Sequence, residues 1–292
     1  MSEKASLKDW IGGQEEAADL FLPERSQALA RALDQPDDAL VEGAPLPPLR
    51  HWLHFWQPQP RAKLGRDGHP ALGGFLPDVS KFWGGSQTRR MWAGSQLEFH
   101  RPLMLGMPTR RLSTIETVEE KMGRSGRLVF VTVRHDIFDA DTVGVIERHD
   151  IVYREESPKS DSRGGVLPEP DTASGDYQWL ARFTADPVLL FRYSALTYNG
   201  HRIHYDRDYA RDVEGYRGLV VHGPLLATLL VDFALSLRPG QVLQRFRFRG
   251  RRPVIDGQPF QLRANAAHDG SLKLWIADAD DALAMTAEAE FV

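Results

Sequence analysis

Residues 218–237 limit the fold more than any other part of the chain. Almost every side chain there is apolar, with His222, Pro224 and Asp232 as the interruptions. The helical part, residues 224–237, would be roughly 21 Å long at 1.5 Å per residue. That falls short of the ~30 Å hydrocarbon core of a bilayer. A helix that is apolar on all sides and does not span a membrane must be buried within its own protein. Some other element has to wrap it, and Asp232 needs a partner if it is enclosed.

Strand patterns on both sides supply the wrapping. After the apolar segment, residues 242–249, 260–267, 271–277 and 282–292 read as strands. Before it, 179–184 reads as a strand and 186–193 as a helix or turn. The N-terminal half begins with helical signals: Pro23 suits a first turn, and Leu29, Ala32 and Leu33 recur at helical spacing until Pro36. An acidic, proline-rich connection (36–48) leads to the aromatic cluster His51-Trp52-Leu53-His54-Phe55-Trp56, a short helix or turn. Residues 58–85, rich in Gly and Pro, predict an irregular loop lying over something, and such loops are often functional. Strands follow at 95–99 and 111–118. The strongest hairpin joins 128–136 to 143–154 through an acidic turn near residues 139–141. Arg-His-Asp-Ile occurs in both of its strands, at 134–137 and 148–151, and reads as a chance likeness of paired strands rather than a metal site. Residues 157–175 have no periodicity and are dominated by Gly, Pro, Ser and Asp, which predicts a linker. The expected organisation is an N-terminal unit (1–156), the linker (157–175) and a C-terminal unit (176–292), each an α+β unit with an antiparallel sheet. The C-terminal sheet has the long helix to wrap, whereas the N-terminal one has only the Trp-rich segment.

Composition narrows the function. Of the 292 residues, 42% are hydrophobic and 26% charged, and the formal charge of −4 argues against a nucleic-acid partner. There are no cysteines, so disulfides, thiolate metal sites and cysteine nucleophiles are excluded. The sequence Met1-Ser2-Glu3-Lys4-Ala5 lacks the pattern of a secretory signal. A cytoplasmic enzyme without a membrane partner is expected.

Chemistry concentrates in two places. Residues 193–206 read Tyr-Ser-Ala-Leu-Thr-Tyr-Asn-Gly-His-Arg-Ile-His-Tyr-Asp, which puts a carboxamide, Asn199, five residues ahead of an imidazole, His204. Residues 220–224, Val-Val-His-Gly-Pro, open the apolar helix. His204 can exchange protons near neutral pH. Asn199 does not titrate but can hold a water. Gly223 offers a backbone N–H at the positive end of a helix, with no side chain to keep a ligand away. A base beside an oxyanion site is what addition of water to an activated double bond requires.

These residues resemble the MaoC-like hydratase/dehydratase family, whose signature is a Ser-Gly-Asp-x-Asn-Pro-Leu-His type of loop ahead of a central helix. Asn199 falls where that family usually has Asp, His204 falls on its catalytic His, and Val221-His222-Gly223 on the start of its helix. The wording of residues 193–206 is most similar to the branch of mesaconyl-C4-CoA hydratases and mitochondrial 3-hydroxyacyl-thioester dehydratases. The resemblance reaches Arg90-Met91-Trp92-Ala93-Gly94 and residues 129–136. It implies a double hot-dog fold: two antiparallel sheets each wrapping a central helix, the N-terminal one degenerate and shaping the acyl pocket. It implies reversible hydration of an enoyl-CoA, with mesaconyl-C4-CoA or itaconyl-CoA giving citramalyl-CoA. His204 would be base and acid, Asn199 its companion and the Gly223 N–H the oxyanion donor.

Around that centre, Arg249 and Arg252 are candidates for coenzyme A phosphates. Arg89 and Arg90, ahead of Trp92, are candidates for a substrate carboxylate. Trp92, His222 and Tyr205 complete the expected binding set, although His222 reads more as a packing residue at the helix entrance. No metal or cofactor is expected beyond coenzyme A within the substrate, and a homodimer is expected by analogy. Two other readings remain open: a 3-hydroxyacyl-thioester dehydratase acting on coenzyme A or acyl carrier protein, and a hot-dog protein that binds acyl thioesters without turnover.

Overall fold

The computed structural model describes residues 6–85, 88–123, 126–155, 172–173 and 175–292. Ten strands form one antiparallel sheet in the order β1-β3-β4-β5-β2-β7-β10-β9-β8-β6. The first five are β1 (Gln14–Leu20), β2 (Thr88–Phe99), β3 (Pro108–Gly123), β4 (Gly126–Asp139) and β5 (Thr142–Glu155). The others are β6 (Trp179–Thr184), β7 (Leu243–Gly250), β8 (Pro259–Ala266), β9 (Leu272–Ala277) and β10 (Leu283–Phe291). The two expected sheets are thus the two five-stranded halves of a continuous one, joined where β2 pairs with β7 over Gly94↔Arg249 to Glu98↔Arg245. Gly94 is required at that seam, because a Cβ there would lie 2.2 Å from the Phe248 carbonyl oxygen.

The apolar segment is helix α4 (Gly223–Leu237), packed across β7 to β10. Leu225, Leu226, Ala227, Leu229, Leu230, Val231 and Ala234 are all buried. At roughly 1.5–3 kcal/mol for each large aliphatic side chain removed from water, this packing is the main stabiliser of the C-terminal half. Asp232 finds its partners in the other half: Gln35 Nε2 donates to it at 2.9 Å, and the Arg50 guanidinium lies 3.5 Å away. Among the described residues, the Trp-rich segment of the N-terminal half forms a 3-10 turn, Arg50–Leu53, in place of a long helix. Helix α1 (Pro23–Ala32) starts with Pro23 as expected and packs on α3 (Pro187–Leu196).

Two features of the N-terminal half differ from the expectation. The leader contributes the edge strand β1, paired with β3, as well as a helix. The 58–85 loop includes a short helix, α2 (Val79–Phe82), that covers the far end of the sheet with Val79 and Trp83. The linker expected at 157–175 lies outside the described residues, apart from Thr172, Ala173 and Gly175. Ala173 is tied down there, its carbonyl accepting from Arg263 Nη1 at 2.9 Å. Among the described residues, no helix is long and apolar enough to cross a membrane.

Candidate active site

A continuous cavity of about 2630 Å³ opens between the halves, and His204, Asn199 and Gly223 all border it. His204 closes a 3-10 turn, Arg202–His204, beside the strand-like segment that leads into α4. That segment is held in place by Val220 N donating to the Ile203 carbonyl and Val221 N to the Val254 carbonyl, both at 2.9 Å. The same Val220 offers its carbonyl oxygen to His204 Nδ1 at 2.7 Å. A carbonyl can only accept, so Nδ1 carries the proton and Nε2 of the neutral ring keeps its lone pair. Burial pushes the imidazole pKa down to about 4, against the raising effect of the Val220 bond, and His69 lowers it further. The ring is therefore neutral at physiological pH and able to take a proton.

His222 stands directly behind it. Its ring is fully buried and stacks on His204 with centroids 3.7 Å apart and planes 18° from parallel. Nε2 of His222 shares a 2.8 Å hydrogen bond with Ser194 Oγ. The expected ligand contact of His222 is thus replaced by support of His204: the side chain has no surface on the cavity.

Asn199 sits at the end of a tight reversal after α3, where Tyr198 adopts φ +51°. Its Oδ1 accepts from the His201 N–H at 3.0 Å, which fixes the carboxamide plane and leaves the NH₂ group as donor. Gly223 is the first residue of α4, ahead of Pro224 at the helix start. A Cβ built on Gly223 meets nothing within 4 Å, so neither packing nor φ demands glycine there. Gly223 borders the cavity, with open space beside its Cα.

The binding candidates divide. Arg90, Trp92 and Arg252 border the cavity, whereas Tyr205 and Arg249 do not. Tyr205 turns to the surface and donates to the Gly200 carbonyl at 2.9 Å. Arg249 is exposed on β7 because the strand's alternation sends Phe248 inward and Arg249 out. Arg252 is pinned 3.3 Å from Asp278, next to Arg251, which also borders the cavity. Arg89 is engaged by Glu214 at 3.0 Å, while Arg90 has no carboxylate partner among the described residues.

Sequence reasoning missed what the long loop adds. Residues 65–69 dock on the motif: Arg202 N donates to the Asp67 carbonyl at 2.9 Å, and Trp56 stacks on Tyr198. His69 hydrogen-bonds Asp67 at 3.0 Å and lies 4.2 Å from the His201 ring, which in turn meets His204 edge-on at 5.3 Å. Asp67, His69 and His201 offer donor atoms all within 4.8 Å of one another. The only signal was the loop's length and its lack of periodicity.

Solved structures share the architecture. A MaoC-like dehydratase from Phytophthora capsici superposes with a TM-score of 0.66, covering 96% of each chain at 13% identity. HtdX of Mycobacterium tuberculosis does so at 0.63, covering 95% of this chain and all of its own at 15% identity. The fold is the double hot-dog of MaoC-like proteins. Residues 49–256 match the model of the hydroxyacyl-thioester dehydratase type 2 family, and the chain belongs to that family, among the hydro-lyases. Mesaconyl-C(4)-CoA hydratase of Chloroflexus aurantiacus is 40% identical over 284 residues, 96% of each chain. The mitochondrial hydroxyacyl-thioester dehydratase type 2 of Schizosaccharomyces pombe is 30% identical over 257 residues, covering 79% of this chain and 80% of its own.

Proposed function

We propose that the protein hydrates an enoyl-CoA whose β-carbon carries a carboxylate, with mesaconyl-C4-CoA as substrate and citramalyl-CoA as product. The observation that carries the reading is His204: its tautomer is fixed by the Val220 carbonyl, and it shares one cavity with Gly223 at the start of α4. The extent of similarity to the Chloroflexus hydratase supports the choice of substrate. As the water oxygen bonds to the β-carbon, its proton passes to His204 Nε2. The π electrons move onto the thioester oxygen, where the Gly223 N–H and the helix dipole stabilise the enolate. Collapse of the enolate takes the proton from the His204 imidazolium to the α-carbon on the same face. Asn199 holds the water through its NH₂ group. In the itaconyl isomer with its thioester at C4, the alkene is not conjugated with the thioester, so this route favours mesaconyl-C4-CoA. Arg251 and Arg252, which both border the cavity, would serve coenzyme A phosphates, since guanidinium suits phosphate oxygens.

The test follows the enoyl-thioester absorbance with mesaconyl, itaconyl and linear enoyl thioesters. His204→Ala is expected to lower kcat by roughly 10²–10⁴-fold, the usual worth of a positioned general base, with an unchanged fold by circular dichroism. Turnover near the wild-type rate in that variant would remove His204 from the chemistry. Preference for linear 3-hydroxyacyl chains would shift the reading to a dehydratase. Binding without turnover would leave a carrier.

A further inference from the structure

The docked loop and the motif meet in a cluster that the proposed reaction leaves unused. Asp67 and His69 come from the loop, and His201 from the motif, three residues ahead of His204. One donor atom of each lies within 4.8 Å of the other two. The backbone sets this juxtaposition. Gly68 N donates to the Gly65 carbonyl at 3.0 Å and Gly65 N to the His69 carbonyl at 2.7 Å, which folds residues 65–69 into a tight turn. Arg202 fastens that turn to the motif: its N–H donates to the Asp67 carbonyl at 2.9 Å and its Nη1 to the Arg66 carbonyl at 3.1 Å. The side chains are oriented as well. Asp67 Oδ1 accepts from His69 N at 3.0 Å, and Oδ2 stands 3.0 Å from His69 Nδ1. The rings of His69 and His201 lie 4.2 Å apart, with planes 41° from parallel.

Two imidazoles and one carboxylate form a donor set that suits Zn²⁺ and its late transition-metal neighbours. Bonds of about 2.0–2.2 Å at tetrahedral angles put the ligand atoms around one Zn²⁺ roughly 3.3 Å apart. Asp67 Oδ2 and His69 Nδ1, at 3.0 Å, already stand near that spacing. The remaining separations, at most 4.8 Å, would close by about 1.5 Å or less around the ion. Among the described residues the His201 ring makes no hydrogen bond, so its lone pair is open to a ligand. All three residues are half-buried, and His69 and His201 border the cavity, which gives an ion a way in. Mg²⁺ and Ca²⁺ take mainly oxygen ligands and would find a single carboxylate here. Arg90 acts electrostatically on both imidazoles, which further disfavours a cation held by charge rather than by nitrogen lone pairs.

We propose that Asp67, His69 and His201 form a three-ligand site for a zinc-class divalent cation, which clamps the loop onto the motif and leaves its fourth position to water. The site is independent of the hydratase reading, because it needs neither the substrate nor His204 as a base. Its ligands come from segments more than a hundred residues apart in sequence, so binding holds together what the backbone contacts alone would let separate. An ion that binds only the assembled form stabilises that form by mass action.

The experiment titrates the untagged full chain, first stripped with a chelator, with Zn²⁺ and with Mg²⁺ in a calorimeter. Wild-type protein is expected to bind one Zn²⁺ per chain, about 100-fold or more tighter than Mg²⁺. Co²⁺ in its place is expected to give the visible absorption of a tetrahedral site. Asp67→Asn, His69→Ala and His201→Ala, each with wild-type circular dichroism, are expected to weaken Zn²⁺ binding by roughly 30-fold or more. Gly68→Ala keeps all three donors, but its Cβ would lie 2.0 Å from the Gly200 carbonyl oxygen and so drives the loop from the motif; a loss of about tenfold or more is expected. Wild-type protein that takes up no Zn²⁺, or holds Mg²⁺ as tightly, overturns the site without any variant having to fold. Zn²⁺ binding that survives all three ligand substitutions places the ion on other residues and overturns it too. Undiminished binding by Gly68→Ala overturns the clamp.

Discussion

Asn199 is a single-atom departure from the carboxylate expected at its position, and its surroundings explain how the change is tolerated. Its Oδ1 accepts from the His201 N–H, which an aspartate could also do. What aspartate could not supply is the NH₂ donor, and it would add a negative charge to a site proposed to hold a substrate carboxylate. Like charges brought into one poorly solvated site disfavour each other. Asn199→Asp is therefore expected to fold normally and to lose at least tenfold in kcat/KM for mesaconyl-C4-CoA, with a smaller loss on 3-methylcrotonyl-CoA, in which an uncharged methyl group replaces the carboxylate. A gain in activity on the acid would show that the carboxylate lies elsewhere.

Elements with a strong period were legible and those without were not. Helix α4 could be read from one apolar run, and the β4–β5 hairpin from β-branched alternation around Ala140–Asp141. β1 escaped because Gln14-Glu15-Glu16-Ala17-Ala18-Asp19-Leu20 is acidic and Ala-rich. It is a strand only because β3 offers it an edge, with its residues alternating between exposed and half-buried. A row of polar residues on the inner face of the N-terminal sheet was invisible for a related reason: His135, Glu147 and His149 look like a solvated face until register shows that they point inward. His204, Asn199 and Gly223 could be picked out because they stand in one short motif and at the helix start that follows it, and all three border the cavity. Arg249 and Tyr205 were misplaced because spacing does not say which way a side chain faces. The long loop shows the limit most clearly. Its docking depends on backbone meeting backbone at Gly68, which has φ +89° and whose Cβ would lie 2.0 Å from the Gly200 oxygen. Gly68→Ala must therefore move the loop off the motif. It is expected to cost at least tenfold in kcat/KM, with a melting temperature lowered by only a few degrees, since the sheet and α4 are untouched. Unchanged kinetics would mean that the docked loop does not shape the site.

At the scale of the whole molecule, the cavity between the halves is lined by imidazoles that are buried in the neutral form, and this makes the fold acid-sensitive. Burial pushes His54 and His204 down to about 4, and His135 and His149 to about 3 and 4. In the unfolded chain each titrates near 6.5. Between those limits the unfolded state binds more protons than the folded one, so stability is intact above about pH 6.5 and is lost as pH falls toward 4. His135 and His149 are only half-buried, so water softens their penalty, whereas His54 and His204 are buried and set the size of the effect. At pH 5 each forfeits up to about 2 kcal/mol, from 1.5 pH units at ~1.4 kcal/mol per unit. Urea unfolding at pH 7.5 and pH 5.0 is expected to differ by on the order of 4 kcal/mol. His204→Gln should remove about half of that dependence while abolishing turnover. If the variant keeps the full dependence, the cost belongs to other groups, and His204 is less buried in solution than the geometry indicates. The same neutrality that makes the fold fragile in acid keeps His204 unprotonated for catalysis. The acid limb of kcat/KM is therefore expected to follow unfolding rather than the titration of a free histidine near 6.5.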